Sequence, residues 1–319
     1  MLVLVTGAAG FIGSHLADRL LALGAEVVGL DNFDDGYAPE TKRRNLRRAL
    51  SGGPSFRLVE GDVRDARLLG ELFAEKRFDA VLHLAARTGI RRSLEEPLRC
   101  AEVNAGGSLA LLEAARAAGV RRLVLASSSS VYGEGTPAPF REDAACDRPI
   151  SPYAASKRAM EHYAAAYSRL HGLDITCLRY FPAYGPRQRP DLAIHKFARL
   201  MAAGKPIPVF GDGSTARDYT CVTDTVEGVL ACTRQEFGYE IFNLGESQTV
   251  TLSRLIELLE HHLGTKAVID WQPPQPGDVP ITYADTSKAR SRLGYAPQVK
   301  IEDGIPRFVE WFKVSTRGS

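Results

Sequence analysis

A glycine-rich turn near the start of this 319-residue sequence restricts its fold more than any other feature. The turn follows an apolar run at residues 2–5, which has the pattern of a buried strand, and it precedes leucines that recur at helical spacing. Glycines at such a turn let the backbone bend tightly and approach a pyrophosphate, which then lies at the N-terminus of the helix. The spacing is G-x-x-G-x-x-G, and the positions that we expect to bind a dinucleotide are Gly7, Gly10, Phe11, Ile12 and Gly13.

The same alternation of apolar runs and helical patterns continues after the turn. The predicted strands lie at residues 2–5, 26–30, 56–60, 80–84 and 122–126. This order predicts an α/β protein with a Rossmann-type doubly wound parallel sheet. After about residue 180 prolines become frequent, which indicates a smaller C-terminal α/β region rich in loops. We therefore expect a dinucleotide-binding domain over residues 1–180 and a substrate-binding region over residues 181–315 that is interleaved with it.

Composition narrows the classes of function. Lysine and arginine number 40 against 38 aspartates and glutamates, a net charge of +2, and this balance does not favour a general nucleic-acid binder. No apolar run approaches the ~20 residues of a membrane-spanning helix, and the N-terminus enters a strand at once, so we expect neither membrane insertion nor a signal peptide. The five cysteines form no C-x-x-C pair, so no metal site is expected. These features are typical of a cytoplasmic protein.

Two predicted strands end in carboxylates suited to a dinucleotide. Asp31 ends the second strand, where a carboxylate accepts hydrogen bonds from ribose hydroxyls and repels a 2′-phosphate. This favours NAD over NADP as the cofactor, and we assign the neighbouring Asn32 to the same site. Asp62 and Val63 close the third strand, and we expect them at the adenine edge.

A tyrosine and a lysine stand four residues apart after Ser-Pro, a pair that often starts a helix. This spacing places Tyr153 and Lys157 on one helical face, where the ammonium favours the phenolate and makes the tyrosine a usable acid and base. A Y-x-x-x-K pattern also occurs by chance. A run of serines at residues 127–130 follows the fifth strand; it is a solvated loop or, at the carboxyl end of the sheet, part of a ligand site.

These motifs together resemble those of the extended short-chain dehydrogenase/reductases, and within them the nucleotide-sugar 4-epimerases, over essentially the whole chain. The resemblance implies that Ser128, Tyr153 and Lys157 are catalytic and that the last two also contact NAD. It assigns the nicotinamide end and other cofactor contacts to Leu84, Ala85, Ala86, Asn104 and Tyr180. It further implies that the tyrosine takes the proton of the sugar 4-hydroxyl while hydride passes from C4 to NAD, and that the 4-keto sugar turns before the hydride returns.

Other segments resemble the part of this family that binds a UDP-sugar. Arg217 begins an R-D-Y segment similar to the diphosphate-binding motif, although it could be a surface ion-pair residue, and Val209 matches a wall beside uracil. Asp278 matches the position that meets the uridine ribose. Galactose-type epimerases have an arginine where Gln275 stands, so we expect Arg217 or Arg91 to supply that phosphate contact.

The sugar itself is indicated by the segment from residue 179 to residue 191, which resembles UDP-glucuronate 4-epimerases. Pro182 stands where those enzymes usually have threonine, which removes one hydroxyl contact. A guanidinium matches a carboxylate with two hydrogen bonds, so Arg189 is the predicted reader of the uronate. The alternative is that Arg189 braces its own loop.

A uronate substrate brings a chemical hazard, because its 4-keto form is a β-keto acid that can lose CO₂. UDP-xylose synthases and 4,6-dehydratases carry an acidic residue where this chain has Ser130. The missing acid favours an epimerase that clamps the carboxylate through Ser129, Ser130 and Arg189.

The sequence therefore predicts NAD-dependent inversion of C4 in a UDP-hexuronic acid. The alternatives are a UDP-glucose or UDP-N-acetylglucosamine 4-epimerase and, less favoured, a UDP-glucuronate decarboxylase or a Rossmann protein that binds without turnover. The helices expected near residues 99–118 and 153–171 resemble those that form the dimer in this family, so a homodimer is also expected.

Overall fold

The computed structural model describes residues 1–273 and 280–316. The strands are β1 Leu2–Thr6, β2 Glu26–Asp31, β3 Phe56–Glu60, β4 Ala80–His83, β5 Arg122–Ser128, β6 Asp174–Tyr180, β7 Ala183–Tyr184, β8 Ile207–Phe210, β9 Ala216–Asp218, β10 Thr220–Cys221, β11 Tyr239–Leu244, β12 Thr249–Thr251, β13 Ile269–Gln272 and β14 Ile281–Thr282.

The helices alternate with these strands over most of the chain. They are α1 Phe11–Ala22, α2 Pro39–Asn45, α3 Arg47–Ser51, α4 Ala66–Glu75, α5 Ile90–Glu95, α6 Pro97–Ala101, α7 Gly107–Ala117, α8 Pro152–His171, α9 Ala193–Ala202, α10 Val222–Ala231, α11 Leu252–Leu263, α12 Ser287–Leu293 and α13 Ile301–Thr316. Short 3₁₀ turns lie at Gly53–Ser55 and Ser129–Tyr132, and a π-helical turn lies at Glu102–Gly106.

The chain forms two compact units. The first contains Met1–Thr136, Glu142–Tyr180 and Val226–Phe242, and the second contains Pro137–Arg141, Phe181–Thr225 and the chain from Asn243 onward. A segment from the C-terminal half of the chain thus belongs to the first unit, and a five-residue segment before α8 belongs to the second.

A seven-stranded sheet forms the centre of the first unit, in the order β11-β6-β5-β4-β1-β2-β3. The pairs from β6 to β3 are all parallel. The apolar runs predicted as strands all lie in this sheet, so the predicted doubly wound α/β fold is confirmed. Chain order reverses between β1 and β4, and such a switch point is where ligands bind in open α/β sheets.

The core of the first unit lies between this sheet and the helices that cover it. Leucines and valines of the strands pack there with the apolar faces of α4, α7 and α8, among them Leu69, Leu112 and Met160. The longest of these helices, α8, is well defined at both ends. The Ser151 hydroxyl accepts a hydrogen bond from the Ala154 N–H (3.1 Å), Pro152 occupies the first turn, and Gly172 ends the helix in the left-handed conformation.

The second unit contains three small sheets, β10-β7, β12-β9-β14 and β13-β8. Its core is formed by the apolar faces of α9, α11 and α13, which pack with buried residues of β7, β8 and β10. Over the described ranges, none of the helices combines the length and the apolar character that crossing a membrane requires.

Candidate active site

The glycine-rich turn connects β1 to α1 at the switch point of the sheet. Gly7 has a φ of +70°, and a Cβ atom there would lie 2.7 Å from the Ala85 nitrogen. A Cβ atom on Gly13 would lie 2.1 Å from the Gly7 carbonyl oxygen. Gly10 precedes α1, and Phe11 and Ile12 form its first residues. The turn is therefore a cradle that only glycine permits, with a helix N-terminus behind it, and it fits the pyrophosphate of a dinucleotide.

The carboxylate at the end of β2 is held by the backbone. Asp31 Oδ2 accepts a hydrogen bond from the Ala9 N–H and Oδ1 accepts one from the Phe33 N–H, both at 2.9 Å. Burial raises the pKa of Asp31, and the Lys42 ammonium, 4.0 Å from Oδ1, opposes this shift. Each carboxylate oxygen keeps a second lone pair. Asp31 can therefore still accept hydrogen bonds from ribose hydroxyls.

The next strand end lies beside it. Asn32 Nδ2 donates to Asp62 Oδ2 at 2.8 Å, and the Arg64 guanidinium donates to both oxygens of the same carboxylate. The hydrogen bonds from Arg64 lower the pKa of Asp62 to about 2 despite partial burial. Val63 is buried, and a Cβ atom on Gly107 would lie 2.8 Å from its Cγ2. The structure thus brings the predicted adenine-edge residues close to Asn32.

The segment after β4 is tied to β1 and to the π-helical turn. The Ala85 N–H donates to Thr6 Oγ1 at 3.2 Å, which places Leu84, Ala85 and Ala86 next to the glycine turn. Asn104, in the π-helical turn, accepts a hydrogen bond from the Arg87 N–H (2.7 Å) and donates to the Ser156 hydroxyl (2.9 Å). Asn104 is buried, so it supports the loop after β4 and helix α8 directly.

Two of the predicted catalytic residues lie on α8. Tyr153 is partly buried in the first turn, and Lys157 lies one turn later with its side chain fully enclosed. The Lys157 ammonium donates to the Ala126 carbonyl oxygen of β5 at 2.6 Å. Burial lowers the pKa of Lys157 to about 8, because removal from water disfavours the charged form.

The serine-rich segment forms the end of β5 and the 3₁₀ turn that follows. Ser128 is the last residue of β5, and its hydroxyl oxygen accepts hydrogen bonds from the Ser130 N–H (3.2 Å) and the Ser130 hydroxyl (2.9 Å). With both of these groups as donors, the Ser128 proton is available for a ligand. Ser129 begins the 3₁₀ turn. Tyr180, the last residue of β6, pairs with Ser128 of the adjacent strand β5, and burial raises the pKa of its phenol well above the usual range.

Sequence reasoning missed a buried charged group behind these residues. Glu161 and Arg179 are fully buried, and they pair through two hydrogen bonds of 2.9 Å. The available signal was the spacing of Tyr153, Lys157 and Glu161, which repeats every four residues on one helical face.

The predicted substrate residues of the second unit differ in how they are placed. Pro182 accepts a hydrogen bond from the Thr220 N–H (3.0 Å), and Val209 on β8 is fully buried in the core of this unit. The Arg217 guanidinium on β9 donates to the carbonyl oxygens of Ala216 (3.0 Å) and Pro280 (3.4 Å). In the first unit, Arg91 is exposed on α5. Asp278 and Gln275 lie outside the described residues.

The predicted uronate reader is paired with a carboxylate of its own loop. Arg189 Nε donates to Asp191 Oδ1 at 3.0 Å, and Arg189 Nη2 donates to Asp191 Oδ2 at 2.5 Å. The Arg189 side chain is 18% exposed and that of Asp191 is 51% exposed. This pair is the arrangement expected of a loop brace, and it occupies one edge of the guanidinium.

The described residues were also compared with the ligand sets that metal ions require. Within the part of the chain that the structure describes, no group of three or more histidine, cysteine, aspartate or glutamate side chains could hold a metal ion.

A doubly wound sheet with a glycine cradle at its switch point defines a dinucleotide-binding protein of the Rossmann type. More specifically, the chain belongs to the NAD dependent epimerase/dehydratase family, whose model matches residues 3–245. The family resemblance predicted from the motifs is thereby confirmed.

Individual relatives match over nearly the whole chain. A UDP-glucuronate 4-epimerase of Thermodesulfobacterium geofontis is 42% identical over 311 residues, which cover 97% of this chain and 95% of the relative. A crystal structure of UDP-glucuronic acid 4-epimerase from Bacillus cereus, in complex with UDP-glucuronic acid and NAD, has a TM-score of 0.92 at 35% identity and covers 99% of this chain and 100% of that one. A UDP-glucose 4-epimerase of Thermotoga maritima with UDP-glucose has a TM-score of 0.91 at 35% identity and the same coverage.

Proposed function

We propose that this protein is an isomerase that inverts C4 of UDP-glucuronate to form UDP-galacturonate, with NAD as its bound redox cofactor. The observation that carries this proposal is the near-complete match to UDP-glucuronate 4-epimerases, at 42% identity over 97% of the chain. The bacterial structure with UDP-glucuronic acid and NAD supports both the substrate class and the cofactor.

The first unit holds the dinucleotide. Gly7, Gly10 and Gly13 would hold the pyrophosphate of NAD, Asp31 would accept hydrogen bonds from its ribose hydroxyls, and Asp62 would stand at the adenine edge. When bound, NAD supplies the reversible oxidation of the sugar at C4. Leu84, Ala85, Ala86 and Tyr180 enclose the reactive end of the cofactor.

Side chains of the protein transfer the proton of the sugar 4-hydroxyl. Tyr153 accepts this proton as C4 is oxidised and returns it as C4 is reduced, so one group acts as base and then as acid. The Lys157 ammonium, one helical turn away, favours the phenolate form during the first half of the cycle. Ser128 donates a hydrogen bond to the same oxygen and orients it.

The carboxylate of the uronate is held by neutral and cationic groups. In the first unit we assign Ser129 and Ser130 to this carboxylate and Arg91 to the diphosphate, and no acidic side chain stands at position 130. In the second unit we assign Arg189 to the carboxylate and Arg217 to the diphosphate. By their motifs, Pro182 is assigned to the sugar and Asp278 to the uridine ribose. Val209 is fully buried in the core of its unit, so it can shape a uracil site only from behind.

A neutral hexose is the second candidate substrate. The pairing of Arg189 with Asp191 favours it, because a guanidinium held by its own loop has less capacity for a uronate. The match to the UDP-glucose 4-epimerase of Thermotoga maritima, at 35% identity, is of the same order as the match to the Bacillus cereus enzyme.

Direct assay separates these substrates. The protein is incubated with UDP-glucuronate, UDP-glucose and UDP-N-acetylglucosamine in turn, and inversion at C4 is followed by proton NMR. We expect UDP-galacturonate from the first sugar at the highest specificity constant. Preference for UDP-glucose would assign the neutral-sugar activity instead, and release of UDP-pentose as the main product would assign decarboxylation.

We further propose that the protein is a homodimer in the cytoplasm. Helices α5, α6 and α8 of the first unit expose Leu94, Leu98 and Leu170 at 61%, 78% and 72%. Leu170 lies within the predicted pairing helix near residues 153–171, and Leu94 and Leu98 lie just before the one near residues 99–118, so these side chains support a pairing surface there. All five cysteines are buried free thiols, as is usual in a reducing compartment. Sedimentation equilibrium tests the dimer, and a monomer at micromolar concentration would contradict it.

A further inference from the structure

A buried ion pair lies directly behind the predicted catalytic residues. Glu161 of α8 and Arg179 of β6 are both fully enclosed, and the guanidinium donates to both carboxylate oxygens at 2.9 Å. Ser127 of β5, which pairs with Arg179 across the two strands, donates its hydroxyl to Glu161 Oε1 at 2.6 Å. One carboxylate therefore ties α8, β5 and β6 together at the ends that carry site residues.

The surrounding contacts show that this is a complete network. Arg158 donates to Glu161 Oε2 at 2.8 Å from the solvent side, and the Arg179 guanidinium lies 4.8 Å from the centre of the Tyr132 ring. Burial acts to raise the pKa of Glu161, but the hydrogen bonds and charge of Arg179 outweigh it and hold the pKa below its usual value. Glu161 is thus an anion at neutral pH.

The position of the network relates it to the reaction. Glu161 lies one helical turn beyond Lys157 and two turns beyond Tyr153 on the same helix. Ser127 directly precedes Ser128, and Arg179 directly precedes Tyr180. Any shift of α8 against the two strand ends would change the placement of the tyrosine, the lysine and the serine hydroxyl together.

We propose that Glu161, held by Arg179, is a positioning residue for the reaction, which fixes α8 against the ends of β5 and β6 and supports the ammonium of Lys157 with its charge. This inference rests on the proposed 4-epimerase function.

The other groups that act on the Lys157 ammonium do not supply a carboxylate charge that would stabilise it. They are Cys100 of α6 and Cys177 of β6, which precede Glu161 in the size of their effect, and His83 of β4, whose own pKa the ammonium lowers. Burial lowers the pKa of His83 to about 3 and raises the pKa of Cys177 well above its usual value, so both are neutral near pH 7. Among the described groups that act on Lys157, Glu161 is the one that carries a carboxylate. Its charge opposes the effect of burial, which lowers the pKa of Lys157 to about 8.

Two substitutions separate the electrostatic role from simple bracing. Glu161→Gln removes the negative charge, and Arg179→Met removes the positive charge while Arg158 and Ser127 still hold the carboxylate. Both break the same ion pair. We expect the pKa of Lys157 to fall by about one unit in the first variant and to rise in the second, the order expected for a partly balanced charge one helical turn away.

Two measurements report these shifts. Lysine labelled with ¹³C at Cε gives the Lys157 titration by NMR in the NAD-bound protein, with the signal assigned by its loss in Lys157→Met. The alkaline limb of the kcat profile with UDP-glucuronate should move in the same direction. Glu75→Gln, which breaks an exposed arginine pair on α4, is the matched control and should move neither.

The shorter carboxylate in Glu161→Asp tests the positioning role. It keeps the charge but not the reach, so kcat should fall while the Lys157 titration stays near that of the wild type. If one of the two charge variants does not fold, the sign of the shift in the other decides. Shifts of the same sign in both, or none in either, would overturn the proposal. If the wild type leaves UDP-glucuronate unchanged, the proposed function fails, and the NMR titration still tests the link between Glu161 and Lys157.

Discussion

The ammonium of Lys157 in α8 is buried against the end of β5, away from water. The Lys157 side chain is enclosed, and its ammonium donates a hydrogen bond to the Ala126 carbonyl oxygen at 2.6 Å. Desolvation makes this cation costly, which strengthens its effect on a nearby phenol, because charges interact more strongly where water is excluded. In the proposed mechanism, this ammonium is the group that lets a proton leave and return to Tyr153 near neutral pH.

Replacement of the phenol tests this view of Tyr153. In Tyr153→Phe the proton acceptor is lost while the ring remains, so kcat should fall by ~10²–10⁴-fold. Binding of UDP-glucuronate, measured by calorimetry, should survive. Tyr163→Phe on the same helix removes a hydroxyl from a side chain that is 37% exposed and should keep full activity. Nearly full activity of Tyr153→Phe would remove this residue from the mechanism.

The assignment of the sugar substrate depends on Arg189. If its guanidinium pairs with the uronate, Arg189→Ala leaves a carboxylate uncompensated, at a cost of about 3–5 kcal/mol, or roughly two to three and a half decades in binding. The specificity constant for UDP-glucuronate should then fall much more than that for UDP-glucose, and some UDP-pentose should be released.

A second variant separates this role from bracing by the Asp191 pair. Asp191→Asn frees the guanidinium from its own loop, so a uronate reader should keep or increase its preference for UDP-glucuronate. If Asp191→Asn and Arg189→Ala depress both sugars alike, Arg189 is a loop brace only.

At the scale of elements, the strand-turn-helix unit at the switch point combines backbone shape with binding. Gly7 needs its positive φ, and Gly13 allows α1 to approach the turn so closely that a Cβ atom would lie 2.1 Å from the Gly7 oxygen. Backbone cannot move aside as a flexible side chain can. The same glycines therefore allow α1 to pack against the turn and give the turn the shape that fits a pyrophosphate.

Gly13→Ala tests the cradle directly. The added methyl group should displace α1 and abolish retention of NAD, which is measured as nucleotide released per protein chain after denaturation. Gly70→Ala is the matched control, because Gly70 lies in α4 with no atom within 4 Å of an added Cβ. It should retain NAD and gain about 0.5–1 kcal/mol of stability. Full retention of NAD by Gly13→Ala would rule out the cradle.

The elements also show how far sequence reasoning reaches. Strands with apolar runs were predictable because burial on both faces of a parallel sheet demands them. The extension of β5 through its serines was not, since it depends on pairing of Ser128 with Tyr180 in β6. Nor was the buried pair of Glu161 and Arg179, because charged residues are ordinarily exposed and only tertiary contacts compensate them here.

In the whole molecule, motifs spread from residue 6 to residue 278 predict the family, whereas the division of the chain into units needs the structure. Residues 226–242 return to the first unit, and residues 137–141 join the second. No local sequence pattern shows that residues 226–242 belong to the first unit. Their strand, β11, joins the sheet at the edge of β6, and this depends on which edge is open after the first six strands have paired.

Cofactor retention is a property of the whole molecule. An epimerase regenerates its cofactor in every cycle, so NAD need not leave and should remain bound through purification. Enzymatic assay of the nucleotide released from denatured protein should find NAD, since the Asp31 carboxylate repels a 2′-phosphate. NADP as the main occupant would contradict the role given to Asp31.

Inversion of C4 of UDP-glucuronate by oxidation and then reduction of the same carbon leaves an isotopic signature. UDP-glucuronate deuterated at C4 is incubated with the protein in ordinary water, and the product is followed by NMR and mass spectrometry. The product should be UDP-galacturonate that keeps its deuterium at C4, because the hydrogen removed in the first half of the cycle is returned in the second. Loss of the label to water, or no UDP-galacturonate at all, would contradict this mechanism.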